Sequence, residues 1–196
     1  MHLVNVVLFL HIAVVLIAIG VSSPLHSAEW ATRHSRTTVE AQALRRVPRH
    51  IEPLFPILIV TLFGLGAWLL YLDHSAYRYR DGWVLTSVVA LVVLLAVGGE
   101  VLAPRAKRLD ALLASAPAGD LPAPVQAALR DRVTWTASHA STGLALAVVF
   151  NMATKPGTTT SAIALLAGVI AGAVVGAPGN RTAAQAEEPQ PRVGEC

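Results

Sequence analysis

The chain of 196 residues contains a single cysteine, Cys196, at its last position. A disulfide framework and a cysteine-ligated zinc or iron–sulfur centre are therefore excluded, because each needs several thiols. Charge is scarce as well. Asp, Glu, Lys and Arg make up 14% of the residues, against roughly 25% in an average soluble domain. Lysine is nearly missing, with two against thirteen arginines, a bias that together with abundant Ala and Val fits a GC-rich bacterial genome. No nucleophile elbow, phosphate-binding glycine loop or zincin motif is present. What the chain does have is apolar surface: 54% of it is hydrophobic and its mean hydropathy is +0.57. A soluble globule, a disordered chain and a fibrous repeat are ruled out, and a polytopic membrane protein remains.

A membrane helix needs about 20 mostly apolar residues to cross roughly 30 Å of hydrocarbon. Five segments meet this requirement: Leu3–Val21, Pro53–Tyr71, Trp83–Leu102, Val133–Ala153 and Thr160–Ala177. The expected fold is an all-α bundle over residues 1–178, a four-helix core plus a fifth transmembrane helix, followed by a disordered cytoplasmic tail over 179–196. The first span is expected to be retained. No Lys or Arg precedes it, and His26 stands where a cleavage site would want a small residue.

The basic residues set an orientation, since cytoplasmic loops keep positive charge. The Ser22–Glu52 loop holds Arg33, Arg36, Arg45, Arg46 and Arg49, and the Ala103–Arg132 loop holds Arg105, Lys107, Arg108, Arg130 and Arg132. The intervening loops are weakly basic. The pattern predicts a plasma-membrane protein with its N-terminus outside and its C-terminus inside. The sequence pI of about 9.5 then reflects lipid-facing loops, and no nucleic-acid partner is expected.

Within the first basic loop, Thr37-Thr38-Val39-Glu40 fits a capping box, so a short surface helix is expected to start there and stop at Pro48. Residues Ala114–Pro124, rich in Ala and Pro, read as a flexible link. Asp120 is the expected cap of one long helix running to Thr154. Lys155-Pro156-Gly157 should end that helix in a tight turn, making the last two spans an antiparallel hairpin with a small-residue face. His26, His34 and His50, with Glu52, lie in or beside the first basic loop without metal-ligand spacing, and no metal site is expected.

An ionisable group at the bilayer centre costs about 2.5–3.5 kcal/mol on insertion scales, so each one is a candidate functional residue. Three lie in the spans: His11, Glu100 and His139. Gly64 and Gly66 fall at a depth similar to that of His11 and would let a flat haem or quinone approach it. Haem b is the cofactor this constellation could take, with His139 as a second axial ligand. Alternatively, Glu100 and His139 share the inner leaflet and could relay protons or hold a cation. The competing structural reading makes these residues helix-packing groups.

The first span VVLFLHIAVVLIAIG, the GLGAWLL run, Trp83, the PRAKRL exit and the Arg132-to-Lys155-Pro156 span together carry a resemblance. Over residues 3–156 the chain resembles a bacterial four-helix family of predicted integral membrane proteins of unknown function, similar in pattern to the copper-resistance-D and HemJ-type proteins. The resemblance implies a four-helix membrane core. The HemJ-type proteins are haem-associated protoporphyrinogen oxidases with membrane histidines, of which His11 alone carries over by position. The third-span His and the Asn-Glu pair have no counterpart here. Copper does not carry over, since the only methionines are Met1 and Met152. The leading expectation is a non-enzymatic accessory or structural subunit, in a complex or as a homo-oligomer. A haem- or quinone-linked redox protein using His11 comes second, and a small transporter using Glu100 and His139 third.

Overall fold

A computed structural model of the protein describes residues 3–72 and 78–185, with side chains as far as Ala177. Every regular element among the described residues is a helix: α1 (Leu3–Arg33), α2 (Thr38–Ile51), α3 (Leu54–Leu72), α4 (Gly82–Ala96), α5 (Ala103–Ser115), α6 (Ala123–Leu129), α7 (Arg132–Thr154) and α8 (Thr158–Gln185). A π-helical segment, Val97–Leu102, joins α4 to α5. Five of the helical stretches are long and apolar enough to cross a membrane, and the protein is an all-α, multi-pass membrane bundle. α7 packs chiefly on α8 and also on α4, whereas α1 packs on α2 and α3.

Several boundaries differ from the sequence reading, each for a physical reason. Hydropathy falls after Val21, yet α1 runs through Pro24 to Arg33, because Leu25 and Thr32 are buried there against neighbours. Its 31 residues span about 46 Å at 1.5 Å per residue, so its last turns extend past the hydrocarbon. The capping box at the start of α2 forms with a shift. Thr37 Oγ1 accepts the Glu40 N–H at 3.3 Å, while the Glu40 carboxylate takes the N–H of Arg36 rather than that of Thr37. Pro48 does not stop α2, which continues to Ile51. Pro48 removes one hydrogen bond near the helix end, but it is fully buried and the Glu52 N–H closes on its carbonyl at 2.8 Å.

The expected flexible link is pinned. Thr38 N–H donates to the Gly119 carbonyl at 2.9 Å, within an isolated antiparallel bridge between Thr37 and Asp120. Gly119 has φ +129, a conformation that side chains other than glycine's rarely allow. Asp120 caps nothing; Pro122 is the N-cap of α6. Ala41, Leu113, Leu121, Val125 and Leu129 form a small apolar core that binds α2, α5 and α6 into one cap at the end of the bundle. Both basic stretches thus meet on the same side.

The expected long fourth helix is also interrupted. Arg130 ends α6, and Asp131 starts α7 by accepting from the N–H groups of Val133 (3.1 Å) and Thr134 (3.3 Å). Asp131 lies ahead of the membrane segment. Burial alone would raise its carboxyl, but the Thr134 hydroxyl, these two N–H groups and the Arg105 charge outweigh burial and hold it below the usual carboxylate range. The cap's contribution is therefore present above the ordinary Asp value and fades as pH falls through the lowered one. Asp131→Ala should cost about 1 kcal/mol, read as a lower thermal midpoint at neutral pH that converges with wild type in acid.

At the far end Lys155, with φ 49, caps α7 in the left-handed region and the chain turns straight into α8. The expected hairpin forms, and its small-residue face is in contact. α8 continues as helix to Gln185, so residues 179–185 of the expected disordered tail are helical; residues 186–196 lie outside the described residues.

Candidate functional site

The polar groups of the bundle gather where the last turns of α1 pass the first turns of α7. Ser22, His26, Glu29 and Arg33 recur every three or four residues on α1, which places them on one face. Trp135, Ser138, His139 and Thr142 do the same on α7. His26 Nε2 lies 2.7 Å from Thr142 Oγ1. The Ser138 hydroxyl donates to Glu29 Oε2 at 3.1 Å, and that oxygen is 3.4 Å from His26 Nδ1. Thr142 also donates to the Ser138 carbonyl at 3.3 Å, so its oxygen accepts from His26 Nε2–H. Four side chains, His26 and Glu29 of α1 and Ser138 and Thr142 of α7, thereby form one polar cluster.

Aromatic rings cover this cluster. The His139 ring stands 4.6 Å from His26 and 4.2 Å from Trp135, centroid to centroid. His139 Nδ1 donates to the Trp135 carbonyl at 3.0 Å, which fixes the tautomer and leaves Nε2 as an acceptor. Trp135 Nε1 donates to the Gly176 carbonyl of α8 at 2.7 Å. Arg33 closes the end of the cluster, its guanidinium 4.7 Å from the Trp135 ring centroid and donating to the Asp131 carbonyl at 3.3 Å.

His11 sits elsewhere, buried on α1 with its Nδ1 lacking a hydrogen-bond partner among the described residues. Of the two glycines expected beside it, Gly66 is there: a Cβ on Gly66 would lie 3.6 Å from His11 Cε1. Gly64 faces open space, with nothing within 4 Å of such a Cβ. The structure gives His11 and His139 different neighbours, α3 for the first and α1 and α8 for the second. The bis-histidine geometry expected for haem b does not fit this arrangement, and no step is derived through a haem. Glu100 is exposed within the π segment, while the ring contacts of His139 are to His26 and Trp135. Among the described residues, no three His, Cys, Asp or Glu side chains converge as a metal site.

Comparison with family models, curated proteins and solved structures gives no match. The site must be read from its own chemistry.

Three of its members on α1 are not legible as site residues in the sequence. His26, Glu29 and Arg33 fall beyond the apolar run and read as loop, although their i, i+3, i+7 spacing is helical. Asn151 lies outside the cluster, near the opposite end of α7, fully buried with its Nδ2 on the Ser161 carbonyl at 3.4 Å; an uncharged residue gives no signal among ionisable groups.

Proposed function

We propose that this is a non-catalytic plasma-membrane protein, N-terminus outside and C-terminus inside, acting as an accessory or structural subunit in a complex or as a homo-oligomer. One observation carries this reading: the polar side chains where α1 passes α7 bond to one another and to helix backbones. His26, Glu29, Ser138 and Thr142 satisfy each other, and Trp135 and Asn151 tie α7 to α8. The α4–α7 contact is filled by Ala90, Leu144 and Val148, with Leu94, Met152, Leu165 and Val169 around them. Apolar packing of that kind gives no support to a transport path between those helices. The folded cap, which brings the two arginine-rich stretches to one side, supports the orientation.

Purification in mild detergent, followed by light scattering and native mass spectrometry, tests the reading. A defined assembly larger than one chain is expected; a lone monomer would overturn it.

A second reading rests on the buried, unpartnered Nδ1 of His11. A polar atom left so in the membrane interior is costly, and a haem or quinone acceptor would relieve it. An absorption spectrum of the purified protein decides. A Soret band lost in His11→Ala favours haem, and colourless protein with no quinone in its organic extract removes this reading.

A further inference from the structure

A pocket of about 380 Å³ opens where α1 leaves the bundle and meets the cap. Arg33, Arg36 and Arg130 line it against one carboxylate, Asp120, and Leu121 and Leu129 give it an apolar wall. Arg33 is already oriented by the Trp135 ring and the Asp131 carbonyl, so little freedom is lost when it receives a ligand. Arg36 and Arg130 are exposed at the pocket and come from different elements, the α1–α2 turn and the end of α6.

We propose that this pocket binds a phosphate-ester anion. Guanidinium groups pair with phosphate oxygens through two parallel hydrogen bonds each, which a single lysine-like charge does not reproduce. Three of them line the pocket, with Asp120 as the one carboxylate among the lining residues. The leucine wall suits the carbon skeleton that a phosphate ester carries. The pocket lies past the apolar run of α1, on the side of the bundle where the two arginine-rich stretches meet, and basic pockets beside membrane helices take phospholipid heads. The phosphate can come from such a lipid or from a soluble phosphate ester, and the experiment separates the two.

The full-length protein is placed in phosphatidylcholine nanodiscs containing a minor fraction of phosphatidylglycerol, and retained lipid is read by native mass spectrometry. The comparison is the double variant Arg36→Gln/Arg130→Gln, which leaves Arg33 and its structural contacts in place. A control, Arg46→Gln/Arg108→Gln, removes the same charge from exposed positions outside the pocket. Wild type and control should retain phosphatidylglycerol, and the pocket variant should lose it by about tenfold or more. If instead inorganic phosphate raises the thermal midpoint of wild type and control but not of the pocket variant, while no lipid is retained, the ligand is a soluble phosphate ester. Equal behaviour of all three proteins, or equal loss in the control, overturns the proposal.

Discussion

Gly143→Ala is expected to lower the stability of the protein by about 3 kcal/mol, a fall in thermal midpoint of roughly 6–12 °C for a chain of this size. The effect is large for a single methyl group because of where that group would go. A Cβ at Gly143 would stand 2.0 Å from the Gly168 carbonyl oxygen and 3.1 Å from Gly172 Cα. Both obstacles are backbone, so no rotamer change makes room and the helices must part. The contact is reciprocal: a Cβ on Gly168 would meet the Gly143 carbonyl oxygen at 2.5 Å, and one on Gly172 would meet the His139 carbonyl oxygen at 2.2 Å. In a membrane, where lipid is as apolar as leucine, such close backbone approach supplies the van der Waals contact that holds helices together. Gly168→Ala should therefore match Gly143→Ala, and the double variant should cost less than the sum, since both disrupt one contact. Gly64→Ala is the control. Nothing lies within 4 Å of its added methyl, and helix propensity makes it neutral or stabilising by up to about 1 kcal/mol. Thermal unfolding in one detergent, followed by fluorescence-detected size exclusion, reads all four.

That hairpin was legible in the sequence, and the reason is instructive. The Gly168, Gly172 and Gly176 repeat, the Lys155-Pro156-Gly157 turn and the absence of charge from 156 to 177 are all local signals, and each constrains the same two helices. The apolar runs likewise located the five crossings. The cap was not legible. Its core residues Ala41, Leu113 and Val125 are far apart in sequence and sparse within each segment, so no periodicity betrays a buried face until α2, α5 and α6 meet. The α1–α7 cluster was lost for a related reason: the hydropathy signal ends at Val21, whereas the helix is carried to Arg33 by contacts with a partner more than a hundred residues away. His11 and Gly66 could be paired by depth; Gly64 could not be excluded from the pair, because two residues on a helix turn it to another face.

Arg45→Ala should unlatch the cap at a cost of about 2 kcal/mol, below the 3–5 expected when a fully buried ion pair loses one member. The discount has a structural source. Arg45 is buried to 5% side-chain exposure, but its partners Glu52 and Asp110 keep 31% and 24%, so water partly solvates the carboxylates once the arginine is gone. Arg45 Nε donates to Asp110 Oδ1 at 2.9 Å and its Nη2 to Glu52 Oε2 at 2.9 Å, with Nη1 on the second Glu52 oxygen. One guanidinium thus ties the end of α2 to α5. Arg45→Lys should recover little, since an ammonium cannot reproduce the fork on Glu52 while reaching Asp110. Arg49, 3.4 Å from Asp110 and largely exposed, is a poor substitute. The loss comes from two carboxylates left facing each other, so removing the charges together should undo it. Arg45→Met/Glu52→Gln/Asp110→Asn is expected to regain most of the stability that Arg45→Ala loses. Limited proteolysis between residues 116 and 122 provides the local readout, because that segment is held by the Thr38–Gly119 hydrogen bond at the start of α2. Cleavage there should accelerate in Arg45→Ala and return toward the wild-type rate in the triple variant, while the α7–α8 hairpin stays protected in both. A triple variant as labile as Arg45→Ala would show instead that the guanidinium's hydrogen bonds to Glu52 and Asp110, and not the relief of two unpaired carboxylates, hold the cap closed.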